Sequence, residues 1–139
     1  MYQVTLSAFR SNLTLDKNYS RHNTLLNGLR NLGLKPQTVV GFYQEDVNSE
    51  PSYELSCEVV MIDSWDKLQA IYTMACDYEQ DSILLGDDSG YYLIMVDGHS
   101  SLEWRNTVTL GKDMIEVTEQ EMITNGAGTV RGNRYYIIK

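Results

Sequence analysis

The order in which strand and helix patterns follow each other constrains the fold of this chain most strongly. Apolar and polar residues alternate, as in strands with one buried face, in three segments: 2–9, 38–45 and 53–62. Apolar residues at helical spacing appear at 20–32 and again at 64–79. A hairpin pattern, 82–85 and 91–96, follows the second helix. The sequence therefore predicts an α+β fold with the order β-α-β-β-α-β and an extra strand, which is the ferredoxin-like pattern.

Each predicted helix begins at a serine that can accept hydrogen bonds from the first free backbone amides. Ser20 is the predicted N-cap of the first helix, which ends at Gly33, and Ser64 is that of the second. The buried residues are predicted to be Leu25, Leu26, Leu29 and Leu32 in the first helix and Leu68, Ile71, Tyr72 and Ala75 in the second. We expect both helices to cover one face of an antiparallel sheet and to leave the other face open.

The chain after residue 100 is less regular, although 1–139 is expected to form a single domain. We predict a strand at 107–110, a short helix at 118–123, a turn at 125–128 and a closing strand at 134–138.

The open face of the predicted sheet has an unusual composition. If the apolar residues of each strand face the helices, this face collects Thr5, Ser7, Phe9, Tyr43, Glu45, Glu54, Ser56 and Glu58. Such a surface is too aromatic for a plain solvated face and too acidic for a dry core. It suits a subunit interface that encloses polar ligand sites. A solvated sheet face with incidental tyrosines is the alternative.

Charge and hydropathy exclude several classes of function. With 11 Lys and Arg against 19 Asp and Glu, the net charge is −8, which disfavours binding to nucleic-acid phosphates. No apolar run approaches the roughly 20 residues of a membrane span, and the first residues do not resemble a signal peptide. Cys57 and Cys76 lack the spacing of a zinc site. We expect two buried thiols in a reducing cytosol, with a disulfide as the alternative.

Familiar catalytic and nucleotide-binding motifs are absent. The chain has neither GxGxxG before a helix nor GxxxxGK[ST]. Neither His22 nor His99 has a nucleophile nearby in sequence, and His22 is expected to be exposed at the start of the first helix. Glu79 is expected to be an exposed acid at the end of the second helix.

Four short segments connect the chain to a known family. They are LSAFRSNL at 6–13, SRH at 20–22, GxYxE at 41–45 and ACxxEQD at 75–81. Through them, about residues 4 to 85 resemble the S-adenosylmethionine-degrading anti-restriction enzymes of short-tailed coliphages. These enzymes were long called S-adenosylmethionine (SAM) hydrolases and are now regarded as SAM lyases. After Gly90 the resemblance is poor.

The resemblance implies a trimer of PII-like, ferredoxin-like subunits that binds SAM between neighbouring chains, without a cofactor or metal, in the cytoplasm of the infected host. The essential carboxylate of the family matches Glu54, eleven residues beyond Tyr43, with Glu50 as the alternative. The glutamine of the EQD motif matches Gln80. Candidates for the adenosine wall are Ser7, Phe9, Ser11 and Asn12. Arg21 is left open between binding a carboxylate and a structural role.

The reaction that the resemblance implies is intramolecular. The carboxylate of SAM attacks its own Cγ, expels methylthioadenosine and leaves homoserine lactone. Glu54 would hold the ammonium group, Tyr43 would contact the sulfonium region, and Gln80 would hydrogen-bond the substrate. Three alternatives remain: a hydrolase with Glu54 as general base, a non-catalytic PII-like protein that binds SAM or a nucleotide, and an acidic DNA mimic.

Overall fold

A computed structural model describes residues 1–46, 48–96 and 107–139. In this part of the chain the fold is α+β, with three helices and a nine-stranded sheet whose neighbouring strands are all antiparallel. The strands are β1 (Tyr2–Leu6), β2 (Gln37–Tyr43), β3 (Ser52–Ile62), β4 (Ser82–Asp87), β5 (Gly90–Met95), β6 (Thr107–Gly111), β7 (Met114–Val117), β8 (Ala127–Arg131) and β9 (Arg134–Ile138). The helices are α1 (Leu15–Asn31), α2 (Trp65–Asp77) and α3 (Glu119–Asn125). His99 lies outside the described residues.

The strands lie in the order β6-β5-β4-β1-β3-β2-β8-β9-β7. The C-terminal strands therefore extend the same sheet. Although β6 and β7 occupy opposite ends of this order, only Lys112 and Asp113 separate them along the chain. The amides of these two residues both donate to the carbonyl of Lys139, 3.1 Å away in each case. Because the two ends of the sheet are joined so closely, the sheet must curl, and its face opposite α1 and α2 becomes concave.

Helix α2 confirms the sequence prediction closely. The Ser64 hydroxyl accepts from the amide of Lys67, and the buried residues are Leu68, Ile71, Tyr72 and Ala75. The helix ends at Asp77, two residues before the predicted end. Within the described residues, no helix combines the length and the apolar character needed to cross a membrane.

Helix α1 begins earlier than predicted, so Ser20 as its N-cap is wrong. The cap is Thr14, whose side chain accepts from the amide of Lys17. The first turns carry no apolar stripe because their buried position is occupied by Asn18. The Asn18 amide accepts from the Arg10 backbone N–H at 2.9 Å and donates to the Arg10 carbonyl at 3.0 Å.

His22 is consequently in the middle of α1, and the prediction that it is exposed is wrong. Its side chain is buried, with Nε2 3.0 Å from Thr38 Oγ1 and Nδ1 3.9 Å from Cys57 Sγ. Burial lowers the pKa of His22 and raises the pKa of the Cys57 thiol to about 12. Both groups are therefore neutral parts of the core. No disulfide joins Cys57 to Cys76, which is only half-buried.

Strand β3 contains a bulge that changes which residue enters the core. Val4 pairs with Val59, but Tyr2 pairs with Ile62, so the β3 strand has one extra residue. Met61 has a φ of 58° and is 70% exposed, whereas Ile62 is fully buried. The predicted alternation, which placed Met61 on the buried face, is wrong beyond Val59 for this reason.

The C-terminal segment confirms the predicted strands at 107–110 and 134–138 and the predicted short helix, and it adds β7 and β8, which were not predicted. A capping box between Thr118 and Glu121 starts α3, and Gly126, at a φ of 82°, ends it. Ala127 already belongs to β8. A Cβ on Gly128 would lie 2.3 Å from Met122 Cγ, so α3 packs on this strand because residue 128 has no side chain.

A buried ion pair ties β8 to β3 across β2. Arg131 binds the Glu58 carboxylate through Nε and Nη2, and Gln3 donates to the same carboxylate at 3.3 Å. Glu58 is 5% exposed. The Arg131 guanidinium also lies over the ring of Tyr136, 4.6 Å from its centroid. Glu58 thus lies on the concave face as predicted, but it is neutralised within the chain.

We expect Arg131→Met to lower the free energy of unfolding by about 3–5 kcal/mol, because it leaves a buried carboxylate without its cation. Urea denaturation near neutral pH measures this loss. Arg134→Met is the matched control, since Arg134 and Glu116 form an exposed pair at 3.9 Å and its loss should cost about 1 kcal/mol or less. Equal losses in the two variants would contradict the importance given to the buried pair.

Candidate functional site

The concave face of the sheet encloses a cavity of about 760 Å³. Each of the nine strands described above contributes lining residues, and the loop before α1, the turn before β4 and Asn125 at the end of α3 complete the wall. The volume lies in the range of small-molecule sites.

One row of residues crosses the floor of the cavity. Strand register places Gly41 opposite Glu54 on one side and opposite Thr129 on the other, and Thr129 pairs in turn with Tyr136. All four residues line the cavity. Because Gly41 has no side chain, the floor is open between Glu54 and Thr129, and a ligand can approach the backbone closely there.

Glu54 is the half-buried carboxylate of this row. Burial raises its pKa, and the nearby Asp81 carboxylate raises it further, while Arg10 acts in the opposite direction. A carboxylate in this setting can pair with a ligand cation or accept a proton. Tyr43 lies at the rim of the same cavity and is 58% exposed.

The polar end of the cavity is built around the C-terminus of α2. Glu79 has a φ of 58°, and the Gln80 amide donates back to the carbonyl of Ala75 at 3.0 Å. This turn directs Gln80 towards the loop after β1, where Nε2 donates to the carbonyls of Phe9 and Tyr78 at 3.1 and 3.2 Å. Glu79 itself is exposed, as predicted.

Two arginines stabilise this end of the cavity. Arg10 donates to the carbonyl of Glu79 and lies 3.9 Å from Asp81. Arg21 donates to the carbonyls of Ala8 and Tyr78 at 2.7 and 2.6 Å, and it lies over the Tyr78 ring. These contacts favour a structural role for Arg21.

The structure brings most of the predicted site residues to one cavity, although not all of them. The residues that line it are Tyr43, Glu54, Gln80, Ser7, Phe9 and Ser11. Among the described lining residues, neither Asn12 nor Glu50 is present, and both are exposed. The Asn12 prediction is therefore not supported by its position, and of the two candidate carboxylates only Glu54 is in the cavity.

Two of the predicted binding residues are engaged in contacts within the chain. The Ser7 hydroxyl donates to the carbonyl of Leu55 and accepts from the amide of Phe9. The Phe9 ring packs edge-on against Tyr19 and His22, with centroids 5.7 and 6.4 Å apart. Its ring thus contacts α1, although Phe9 also contributes to the lining of the cavity.

Local sequence patterns did not reveal the part of the cavity that the C-terminal segment provides. Strands β6 to β9 contribute Leu110, Met114, Ala127, Gly128, Thr129, Tyr136 and Ile138, and α3 contributes Asn125. The closing strand was recognised, but its position beside β8 depends on long-range pairing that local patterns do not reveal. Thr5 was also missed as a site residue; its hydroxyl is buried at the cavity and has no hydrogen-bond partner among the described residues. Among all the residues that the structure describes, no group of three or more His, Cys, Asp or Glu side chains could hold a metal ion.

Comparison with known proteins matches this chain to an enzyme family. A sequence profile of the S-adenosylmethionine lyase family matches residues 4–139. An S-adenosylmethionine lyase of Enterobacteria phage T3 is 33% identical over 93 residues, which cover 61% of this chain and 59% of the relative. The chain thus spans about three fifths of the length of this curated relative. Because the profile match extends to the last residue, the expectation that the likeness fades after Gly90 is wrong.

We expect Asp81→Asn to lower the pKa of Glu54, because removal of the neighbouring negative charge makes the ionised form less costly. Carbon NMR titration of labelled glutamate carboxyls measures the shift, which should shrink at high salt. Asp63→Asn is the control, since Asp63 pairs with Lys67 at the start of α2. An unchanged or raised pKa of Glu54 in the Asp81 variant would contradict this electrostatic description.

Proposed function

The chain belongs to the S-adenosylmethionine lyase family, and we propose that it cleaves SAM to methylthioadenosine and L-homoserine lactone. The observation that carries the proposal is the half-buried Glu54 beside the bare Gly41 backbone, in a cavity large enough for the whole substrate. It places an anion where a cationic substrate can lie close to the floor. The phage relative bears the name of the same activity.

The proposed chemistry takes place within one substrate molecule. A carboxylate oxygen of SAM forms a bond to Cγ, the bond from Cγ to sulfur breaks, and its electron pair neutralises the sulfonium. Opposite charges cancel in this transition state, so water stabilises the ground state more than the transition state. A cavity that excludes water therefore favours the reaction. Nucleophile and leaving group belong to the same molecule, so the step requires no metal or cofactor.

The residues of the cavity would mainly fix the conformation of the substrate. Glu54 holds the ammonium group and thereby curls the methionine arm towards its own Cγ. Tyr43 lies near the sulfonium, where an aromatic ring stabilises a cation. The nitrogen of the Gln80 side chain is bound to two carbonyls, so its oxygen is the atom that would accept from the substrate.

We also propose a ferredoxin-like subunit that assembles as a PII-like trimer. The support for the fold is the order β4-β1-β3-β2 in the middle of the sheet, with α1 and α2 on one face. The support for assembly is apolar surface at the cavity rim, where Tyr43 and Leu110 are 58% and 40% exposed. A neighbouring subunit would cover this rim and exclude water. Acting in the host cytoplasm during infection, the enzyme would deplete SAM and so counter restriction.

Hydrolysis is the second candidate, and the raised pKa of Glu54 favours it. A carboxylate with a raised pKa is a better general base near neutral pH, and it could activate a water for attack on Cγ. The product would then be homoserine in place of its lactone.

Incubation of the protein with SAM in water enriched in heavy oxygen distinguishes these two reactions. We expect early products to be methylthioadenosine and unlabelled homoserine lactone, identified by mass spectrometry, because the ring oxygen comes from the substrate. Homoserine that is labelled from the start and never preceded by lactone would assign the hydrolase reaction. Intact SAM would leave only a binding function.

We expect Glu54→Gln to reduce kcat/KM for SAM roughly 100-fold or more, because the methionine arm is no longer held in its attacking conformation. The oligomeric state, measured by light scattering, should be unchanged. Glu50→Gln is the matched control, since Glu50 is exposed and lies outside the cavity lining described above. Full activity of the Glu54 variant, or an equal loss in both, would refute the assignment.

A further inference from the structure

We infer that the C-terminal strands β8 and β9 form the subsite for the purine base of the substrate, with the Tyr136 ring stacked on it. This inference rests on the proposed function, because it assumes a ligand that contains adenosine. It places the base away from Ser7, Phe9 and Ser11, which the family resemblance offers as the adenosine wall and which lie at the Glu54 end of the cavity.

Tyr136 lies at a distance from Glu54 that suits the length of the substrate. The two residues lie in the same row, with Gly41 and Thr129 between them. Three steps between adjacent strands correspond to about 14 Å along the sheet, and less across its concave side. An extended SAM molecule has a comparable length between its ammonium group and its purine, and the curled methionine arm shortens it to suit the concave side. With the ammonium at Glu54, the sulfonium and ribose lie over Gly41 and Thr129, and the base reaches Tyr136.

The two ends of the row also differ in the polarity of the cavity wall beside them. Beside Glu54 the cavity wall carries Arg10, Gln80 and Asp81, which suit the charged amino-acid part of the ligand. Around Tyr136 the wall consists mainly of apolar side chains, namely those of Met114, Ala127 and Ile138. A purine has flat apolar faces, so it is more stable at this second end.

The Tyr136 ring is held in place by contacts within the chain before a ligand binds. Arg131 lies over the ring, 4.6 Å from its centroid, and Arg131 is itself fixed by the buried Glu58 carboxylate. Arg131 therefore covers one face of the ring, and we place the base against the other face. A ring that is ordered before binding loses little conformational freedom when the ligand stacks on it.

The binding affinity of the full chain for two probes, measured by calorimetry, tests this proposal. Methylthioadenosine contains the purine, whereas S-methylmethionine contains the sulfonium and amino-acid groups alone. We expect Tyr136→Ala to weaken methylthioadenosine binding about 5- to 150-fold, the effect of losing one base–aromatic stack, and to leave S-methylmethionine binding unchanged. Tyr136→Phe should retain most of the affinity for methylthioadenosine. Tyr135→Ala, which removes the neighbouring tyrosine that bonds Glu119, should leave both affinities unchanged.

Two results would overturn the inference while wild-type protein still cleaves SAM. One is an unchanged affinity of Tyr136→Ala for methylthioadenosine, most clearly if Leu93→Ala weakens it, which would place the base against β5. The other is an equal loss for both probes, which indicates a structural effect. If wild-type protein does not cleave SAM but binds methylthioadenosine through Tyr136, the proposed reaction fails and the base subsite stands. If it binds neither probe, both fail.

Discussion

The short connection between β6 and β7 is the constraint on which the site depends. Lys112 and Asp113 join strands at opposite ends of the sheet, and their amides are bound to the carbonyl of Lys139. A flat nine-stranded sheet would separate these ends by about eight strand spacings of 4.8 Å, far more than two residues can span. The sheet therefore curls, and the curl turns an open face into the walls of a cavity.

Enclosure by the sheet also determines the electrostatics of the concave face. Glu54 and Glu58 lie four residues apart on β3 and share the concave face, but their charges have different partners. Glu58 is neutralised by Arg131 and helps to fasten β8 to the sheet. Glu54 is left half-buried with Asp81 nearby, so its charge is costly in the absence of a cation. The fold thus stabilises one acid structurally and keeps the other available to a positively charged ligand.

Local backbone geometry places the polar groups around Glu54. Glu79 adopts a left-handed conformation that side chains rarely occupy, and Arg10 binds its carbonyl. This turn sets Gln80 against the loop after β1. Strained residues of this kind persist where the surrounding contacts fix them, and they are concentrated at functional sites. Here the strained residue precedes the glutamine that we place against the substrate.

Local patterns in the sequence determined the elements that local physics controls. The alternation in β1 and β3, the hairpin of β4 and β5, and the Ser64 cap of α2 are all set by neighbours along the chain. Strand alternation placed Tyr43 and Glu54 on one face, and the family resemblance added Gln80 to the same candidate site. Predictions were wrong where a tertiary contact replaced a local signal. Asn18 occupies the buried position in the first turns of α1, so no apolar residue indicated where the helix begins. His22 is buried against Thr38 and Cys57, and a bulge in β3 places Ile62 in the core in place of Met61.

The tertiary structure alone decided what completes the cavity. That Tyr136 lies in the same row as Glu54 follows from the pairing of β2 with β8 and of β8 with β9, which no local pattern encodes. Arg131 and Glu58 are 73 residues apart in the chain, yet they share one ion pair. Local pattern and family resemblance in the sequence determined α2, α3, most of the strands, and Glu54 and Gln80 of the polar end. Long-range pairing decided which surfaces face each other, because those contacts form only when the whole sheet closes.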